Sequence, residues 1–168
     1  LSGNSINNGL DISYLTSSTP SFVVDNIISG RRLYYYQYSS YSNSNVTIST
    51  NTIKESSMGG MYIYNQAGVV NVKNNTIEQC KSTYYAVIDL ISGSSGSRLH
   101  FTNNSIVNNE GDHVLHITGS SDYEVNFDLF SENIAYGNSA SDSFIRLYSY
   151  PWLNFTRNVF ENNTAPTS

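Results

Sequence analysis

The sequence predicts an all-β solenoid, a single chain wound as a parallel β-helix, and three observations predict it. First, a unit recurs seven times: an apolar residue, an asparagine three positions later, and a second apolar residue two after that. The asparagines are Asn4, Asn26, Asn51, Asn75, Asn104, Asn133 and Asn158, spaced 22, 25, 24, 29, 29 and 25 residues apart. Second, the flanking positions are apolar in every repeat. Those before the asparagine are Leu1, Val23, Ile48, Val72, Phe101, Phe130 and Phe155; those after it are Ile6, Ile28, Ile53, Ile77, Ile106, Ala135 and Phe160. In a chain that is 39% hydrophobic, chance would rarely fill all fourteen. Third, Val70 and Val72, Leu99 and Phe101, and Leu153 and Phe155 alternate with polar neighbours, which is strand periodicity with one face turned inward.

A period of this length marks a solenoid, a propeller or a repeat array. No stretch sustains apolar residues at three- and four-residue spacing, which argues against helical repeats. Between anchors lies another short strand: MYIYN from Met61, VIDLI from Val87, VLHIT from Val114, FIRLY from Phe144. Each repeat therefore offers about three short strands separated by turns rich in Asn, Ser and Gly. A propeller blade needs about 40 residues and four strands. The spacing fits a parallel β-helix of about seven coils, each of 22–29 residues. Like positions then stack at ~4.8 Å, so apolar columns fill the interior. The asparagine column forms a ladder of amides, and Asn also tolerates the left-handed conformation that a sharp corner demands.

These columns resemble the right-handed parallel β-helix of the pectin-lyase-like superfamily, in which an asparagine ladder lines one turn. The units FTNN, FSEN, FTRN and FENN, with GGMY at Gly59, are also similar to repeats of the chlamydial polymorphic outer-membrane proteins. The resemblance covers nearly the whole chain and implies the right-handed fold. It implies little about activity, because these are scaffold residues.

The repeats make residues 1–168 a single solenoid domain, a rod on the order of 30 Å long. Its composition is polar without being charged, with 22 Asn, 14 Tyr and only 12% charged residues. The net charge of −5 disfavours nucleic acid as a partner. No apolar run is long enough to span a membrane. One cysteine, Cys80, allows no internal disulfide, and it aligns with Asn109, Asn138 and Asn163 of other coils, as a buried small residue would. The chain opens inside a repeat and stops just after one, which reads as a segment of a longer or polymeric assembly.

Along the chain, LDISYL from Leu10 precedes a loop around Pro20, and LYYYQY from Leu33 begins a crowd of tyrosines: Tyr34, Tyr35, Tyr36, Tyr38 and Tyr41. Turned outward, with Tyr62 and Tyr64, they would stack on sugars or pack on a neighbouring molecule. Tyr is also simply a good strand former. Insertions SGSSGS at Ser92 and GSSDYE at Gly119 explain the two 29-residue spacings. At the Asn133 repeat, Asp128 and Ala135 break the pattern, and a one-residue slip of register is expected there.

Five N-x-S/T sequons, at Asn45, Asn74, Asn103, Asn154 and Asn162, would accept N-glycans in a secreted eukaryotic protein; so Asn-rich a chain would also contain about that many by accident. If Ile88, Leu115 and Ile145 point inward, Asp89, His116 and Arg146 point outward in one column, each ~4.8 Å from the next. That resembles where polysaccharide lyases and hydrolases of the superfamily keep their groups. A hydrolase needs two carboxylates roughly 5–10 Å apart, and the column offers only Asp89. Asp112 and Asp122 are expected in loops, away from any cluster. A surface column with incidental charge complementarity accounts for the same residues, so no catalytic residue is assigned. His113 and His116 form H-x-x-H, but three apart on a strand they should face opposite sides, which speaks against zinc. No phosphate loop or nucleophile elbow is present, and no cofactor or metal is expected.

The reading is a structural, extracellular or cell-surface β-helix module that stacks with copies of itself or neighbouring segments into a fibre and carries glycans. An open solenoid end exposes strand edges that something must cover. The alternatives are a polysaccharide-binding adhesin module or a polysaccharide lyase or hydrolase.

Overall fold

The computed structural model describes residues 1–13, 20–38, 45–83, 86–93, 96–119, 128–148 and 153–166. The segment around Pro20 before residue 20, Tyr41, Asp122 and the centres of both insertions lie outside the described residues. The strands are β1 (Ser5–Asn7), β2 (Leu10–Ser13), β3 (Ser21–Val24), β4 (Ile27–Gly30), β5 (Leu33–Gln37), β6 (Asn45–Ser49) and β7 (Thr52–Ser56). Then come β8 (Met61–Asn65), β9 (Gly68–Lys73), β10 (Thr76–Glu78), β11 (Ala86–Ser92), β12 (Ser97–Thr102) and β13 (Ser105–Val107). The last are β14 (Glu110–Thr118), β15 (Asp128–Ser131), β16 (Ile134–Tyr136), β17 (Ser139–Tyr148), β18 (Leu153–Thr156) and β19 (Val159–Glu161).

Every third strand joins the same sheet, which is the topology of a parallel solenoid. The first sheet runs β1-β4-β7-β10-β13-β16-β19, the middle one β2-β5-β8-β11-β14-β17, and the third β3-β6-β9-β12-β15-β18. With seven, six and six strands among the described residues, the seven anchors close fewer than seven complete turns. An anchor marks one corner, and a corner is not a whole turn.

The apolar columns lie where the repeat places them. Ile28, Ile53, Ile77 and Ile106 pair in register and are fully buried, as are Ile48 and Val72. Phe101, Phe130 and Phe155 form a stack with ring centroids 5.2 and 4.9 Å apart. No slip occurs at the Asn133 repeat: Phe101 pairs with Phe130 and Ile106 with Ala135. One good aromatic stack on each side holds the register, and the small Ala135 is tolerated in a fully buried slot.

The asparagines form a continuous ladder. In each, the main-chain N–H and the side-chain amide both donate to the carbonyl oxygen of the next asparagine side chain, from Asn26 to Asn51 at 3.0 and 2.9 Å and from Asn75 to Asn104 at 2.9 and 3.0 Å. The same pattern links Asn4 to Asn26, Asn51 to Asn75, Asn104 to Asn133 and Asn133 to Asn158. The amide also donates inward, as from Asn104 to the carbonyl of Val72 in the preceding turn. The ladder residues themselves are not left-handed. That conformation belongs to the residue just before each: Gly3, Asp25, Thr50, Asn74, Asn103, Glu132 and Arg157, with φ between 54° and 67°. The corner thus divides two tasks between neighbours, one turning the chain and one satisfying its hydrogen bonds.

A second, shorter ladder runs Asn109, Asn138, Asn163, and Cys80 heads it by donating its main-chain N–H to Asn109 Oδ1 at 2.9 Å. Cys80 is fully buried, and burial pushes its thiol up to about 11, so it is an inert ladder residue.

Asn104→Ala removes the side-chain oxygen that accepts from both the main-chain N–H and the amide of buried Asn75, and the amide that donates to the Val72 carbonyl. It should cost about 2–4 kcal/mol by urea denaturation. A loss under about 0.5 kcal/mol would mean the ladder contributes nothing that water could not replace.

Candidate functional site

Two outward columns run the length of the middle sheet. One reads Asp11, Tyr34, Tyr62, Asp89, His116, Arg146, and the other Ser13, Tyr36, Tyr64, Ile91, Thr118, Tyr148. The expected column of Asp89, His116 and Arg146 is therefore present in register. At its tyrosine end, Tyr34 and Tyr62 stack with centroids 4.8 Å apart, and Tyr36 and Tyr64 do the same. The Arg32 guanidinium sits 5.3 and 4.9 Å from the Tyr34 and Tyr62 ring centres, a cation–π cap. Burial, with Tyr34 and Asp89 nearby, pushes the Tyr62 hydroxyl up to about 12. Tyr35 is not part of this outward group. Strand alternation turns it inward, where it is fully buried.

The histidines depart from expectation. Both line one open groove of about 640 Å³, with ring centroids 6.4 Å apart, although they are three residues apart on β14. The reason lies between them. Val114 and Leu115 both point into the core and are fully buried, so the alternation is broken and positions i and i+3 return to the same side. The same doublet occurs as Val87–Ile88 and Phe144–Ile145, which sets Ala86, His113 and Ser143 in a third outward column. Asp112 also differs from expectation, since it lies on β14 rather than in a loop, and its carboxylate accepts from Ser141 Oγ at 2.8 Å at the groove edge.

Asp89 is only 4% exposed, and its Oδ1 accepts from His116 Nδ1 at 2.8 Å. That bond fixes the ring proton on Nδ1, so His116 Nε2 accepts the Thr118 hydroxyl at 3.1 Å. Burial pushes the Asp89 carboxyl above its ordinary value, while the His116 hydrogen bond and the charges of His116, Arg32 and His113 pull it back. Arg146 reaches His113 rather than its column neighbour: its Nη1 donates to His113 Nε2 at 3.2 Å, and the other ring nitrogen of His113 meets Ser143 Oγ at 2.8 Å. Asp142 lies 3.6 Å from the same Nε2, too far to displace Arg146.

Ser143 and Thr118 were missed in reading the sequence for chemistry, and His113 was placed on the opposite face from His116, although the aligned apolar doublets V-I, V-L and F-I were there as the signal. Among the described residues no third donor joins the histidines in a group that could hold a metal ion. The five sequon asparagines, Asn45, Asn74, Asn103, Asn154 and Asn162, are all exposed and lie away from the groove; Asn103 Nδ2 donates to Asn74 Oδ1 at 2.7 Å.

The Asp89 environment has a consequence for stability. Its carboxyl titrates higher folded than unfolded, so ionising it opposes folding; the cost is absent below about pH 4, near the unfolded value, and complete above the folded one. Wild-type stability should therefore fall relative to Asp89→Asn as the pH is raised from about 3 to 7. Parallel urea midpoints for the two proteins across that range would show that the carboxyl is not desolvated.

No curated protein and no solved structure matches the chain. The family described as right-handed beta helix region matches residues 1–106. Among the described residues no helix is long and apolar enough to cross a membrane. With its parallel three-sheet coil and its repeat-by-repeat register, the chain belongs to the right-handed beta helix family.

Proposed function

We propose that this β-helix is an extracellular or cell-surface module whose middle sheet binds a polysaccharide laid along the solenoid axis. The observation that carries this is the continuous outward strip from the stacked Tyr34/Tyr62 and Tyr36/Tyr64 pairs, past Arg32, into the groove at His116 and Arg146. A smaller groove of about 360 Å³ lined by Arg32, Tyr34, Tyr62, Asp89 and His116 bridges the two parts. Partly buried tyrosines present an apolar body and a polar tip, which suits a ligand that is both hydroxylated and ring-shaped. Their strands cannot drift, because each is paired on both sides, so the strip is preorganised. Exposed sequons are compatible with a secreted protein carrying N-glycans outside the groove.

Calorimetry against a panel of neutral and acidic soluble polysaccharides should find a ligand, and Tyr34→Ala with Tyr62→Ala should weaken it about tenfold or more, the worth of roughly 1.4 kcal/mol. Binding indifferent to both changes would remove the strip as the site.

A further inference from the structure

The geometry points to acyl-ester hydrolysis by a Thr118–His116–Asp89 triad on the outer face of the middle sheet. This goes beyond glycan binding and does not depend on it. A hydroxyl nucleophile, a base within hydrogen-bond reach and a third group orienting the base are the minimum for nucleophilic acyl transfer, on whatever fold they occur. All three are present: Thr118 Oγ1 to His116 Nε2 at 3.1 Å, and His116 Nδ1 to Asp89 Oδ1 at 2.8 Å. Asp89 is almost fully buried, so it is a fixed orienting group rather than a solvated surface charge. Thr118 is half-buried at the groove wall between Ile91 and Tyr148, which offers apolar surface for the acyl or alcohol portion of an ester.

The other groove residues fit the same chemistry. Arg146 follows His116 in the column and lines the groove, where its guanidinium is the cation available to a developing oxyanion. His113 cannot compete as base, because its Nε2 accepts from Arg146; its role is to hold the guanidinium in place. No second carboxylate is required, unlike glycoside hydrolysis.

In the reaction, Thr118 Oγ1 attacks the ester carbonyl carbon and its proton passes to His116 Nε2. The acyl–oxygen bond to the alcohol then breaks, and the departing oxygen takes that proton. Water next adds to the Thr118 acyl ester, giving a proton to His116 Nε2. The Thr118–acyl bond breaks, the carboxylic acid leaves, and Thr118 recovers its proton. Nothing is oxidised or reduced, and water is the co-reactant.

The test uses the full chain and p-nitrophenyl acetate, with acid-quenched samples mapped by mass spectrometry. Saturable hydrolysis with acetyl on Thr118 is expected. Thr118→Val and His116→Gln should each lower kcat/KM about a hundredfold or more, and together no further, because the pair acts as a unit. Thr118→Ser should retain activity. For Asp89, a positioning residue, Asp89→Asn should lower kcat while leaving KM and the folded far-ultraviolet spectrum unchanged. Absence of hydrolysis, acetyl on any other residue, or wild-type rates in Thr118→Val would each overturn the proposal; the last would indicate a bare imidazole reaction. Polysaccharide calorimetry and p-nitrophenyl acetate hydrolysis on the wild-type chain are separate readouts, so the two readings fail separately.

Discussion

The corner between the third sheet and the first has to turn the chain without leaving buried main-chain groups unpaired, and the asparagine ladder is how it does so. A β-strand satisfies its backbone through its neighbours, and such bonds continue through this corner, as from the Thr76 N–H to the Asn51 carbonyl. The ladder residue's own N–H is met by a side chain instead. An asparagine side chain carries both an acceptor and two donors, which is what that position needs. The acceptor of Asn104 takes two bonds from Asn75, while its own amide reaches the next ladder oxygen and the Val72 carbonyl. Remove the ladder and the apolar columns have no fixed register to stack in. With it, Ile28 through Ile106 are held in one line, and so are the outward columns on the opposite side of each strand.

This explains why the fold was so legible. Ladder and core residues repeat because each turn solves the same problem, and repetition is visible without coordinates. The expectation that Asn serves the left-handed bend was misplaced for the same reason it was tempting: both jobs sit at one corner. Thr50, Glu132 and Arg157 take the left-handed conformation without any local preference for it, so the bend is imposed by the stack rather than by the residue. A sequence pattern shows what is repeated, and the bending position is not repeated in kind.

The site was legible only in part. That Asp89, His116 and Arg146 share a column follows from strand alternation alone. That His113 joins them does not, because alternation sends residues three apart to opposite faces. The structure reverses this through Val114 and Leu115, two consecutive core residues that break the alternation. Two apolar neighbours in line with V-I and F-I doublets of adjacent turns were the available clue, since a column of doublets means both members are inside. Register also shifts between Gly111 and His113, where β17 carries an extra residue, and no sequence period announces that.

The same break in alternation separates the two halves of the middle sheet in kind. Where alternation is regular, in β5 and β8, outward residues form parallel columns of tyrosine, each touching its like in the next turn, and the surface is uniform along the axis. Where it is broken, in β11, β14 and β17, the groove is lined by residues on both sides of the inward doublet, as His113 and His116 are on β14. A uniform column suits holding a repeating polymer, because every turn offers the same contact. A converging groove suits chemistry, because it gathers unlike groups: a buried carboxylate, a base it orients, a hydroxyl and a held guanidinium. The inward pair Val114–Leu115 is therefore as much a determinant of the site as His116 itself. Replacing either with a polar residue would undo the inward doublet and part His113 from His116 while leaving every polar group of the site in the sequence.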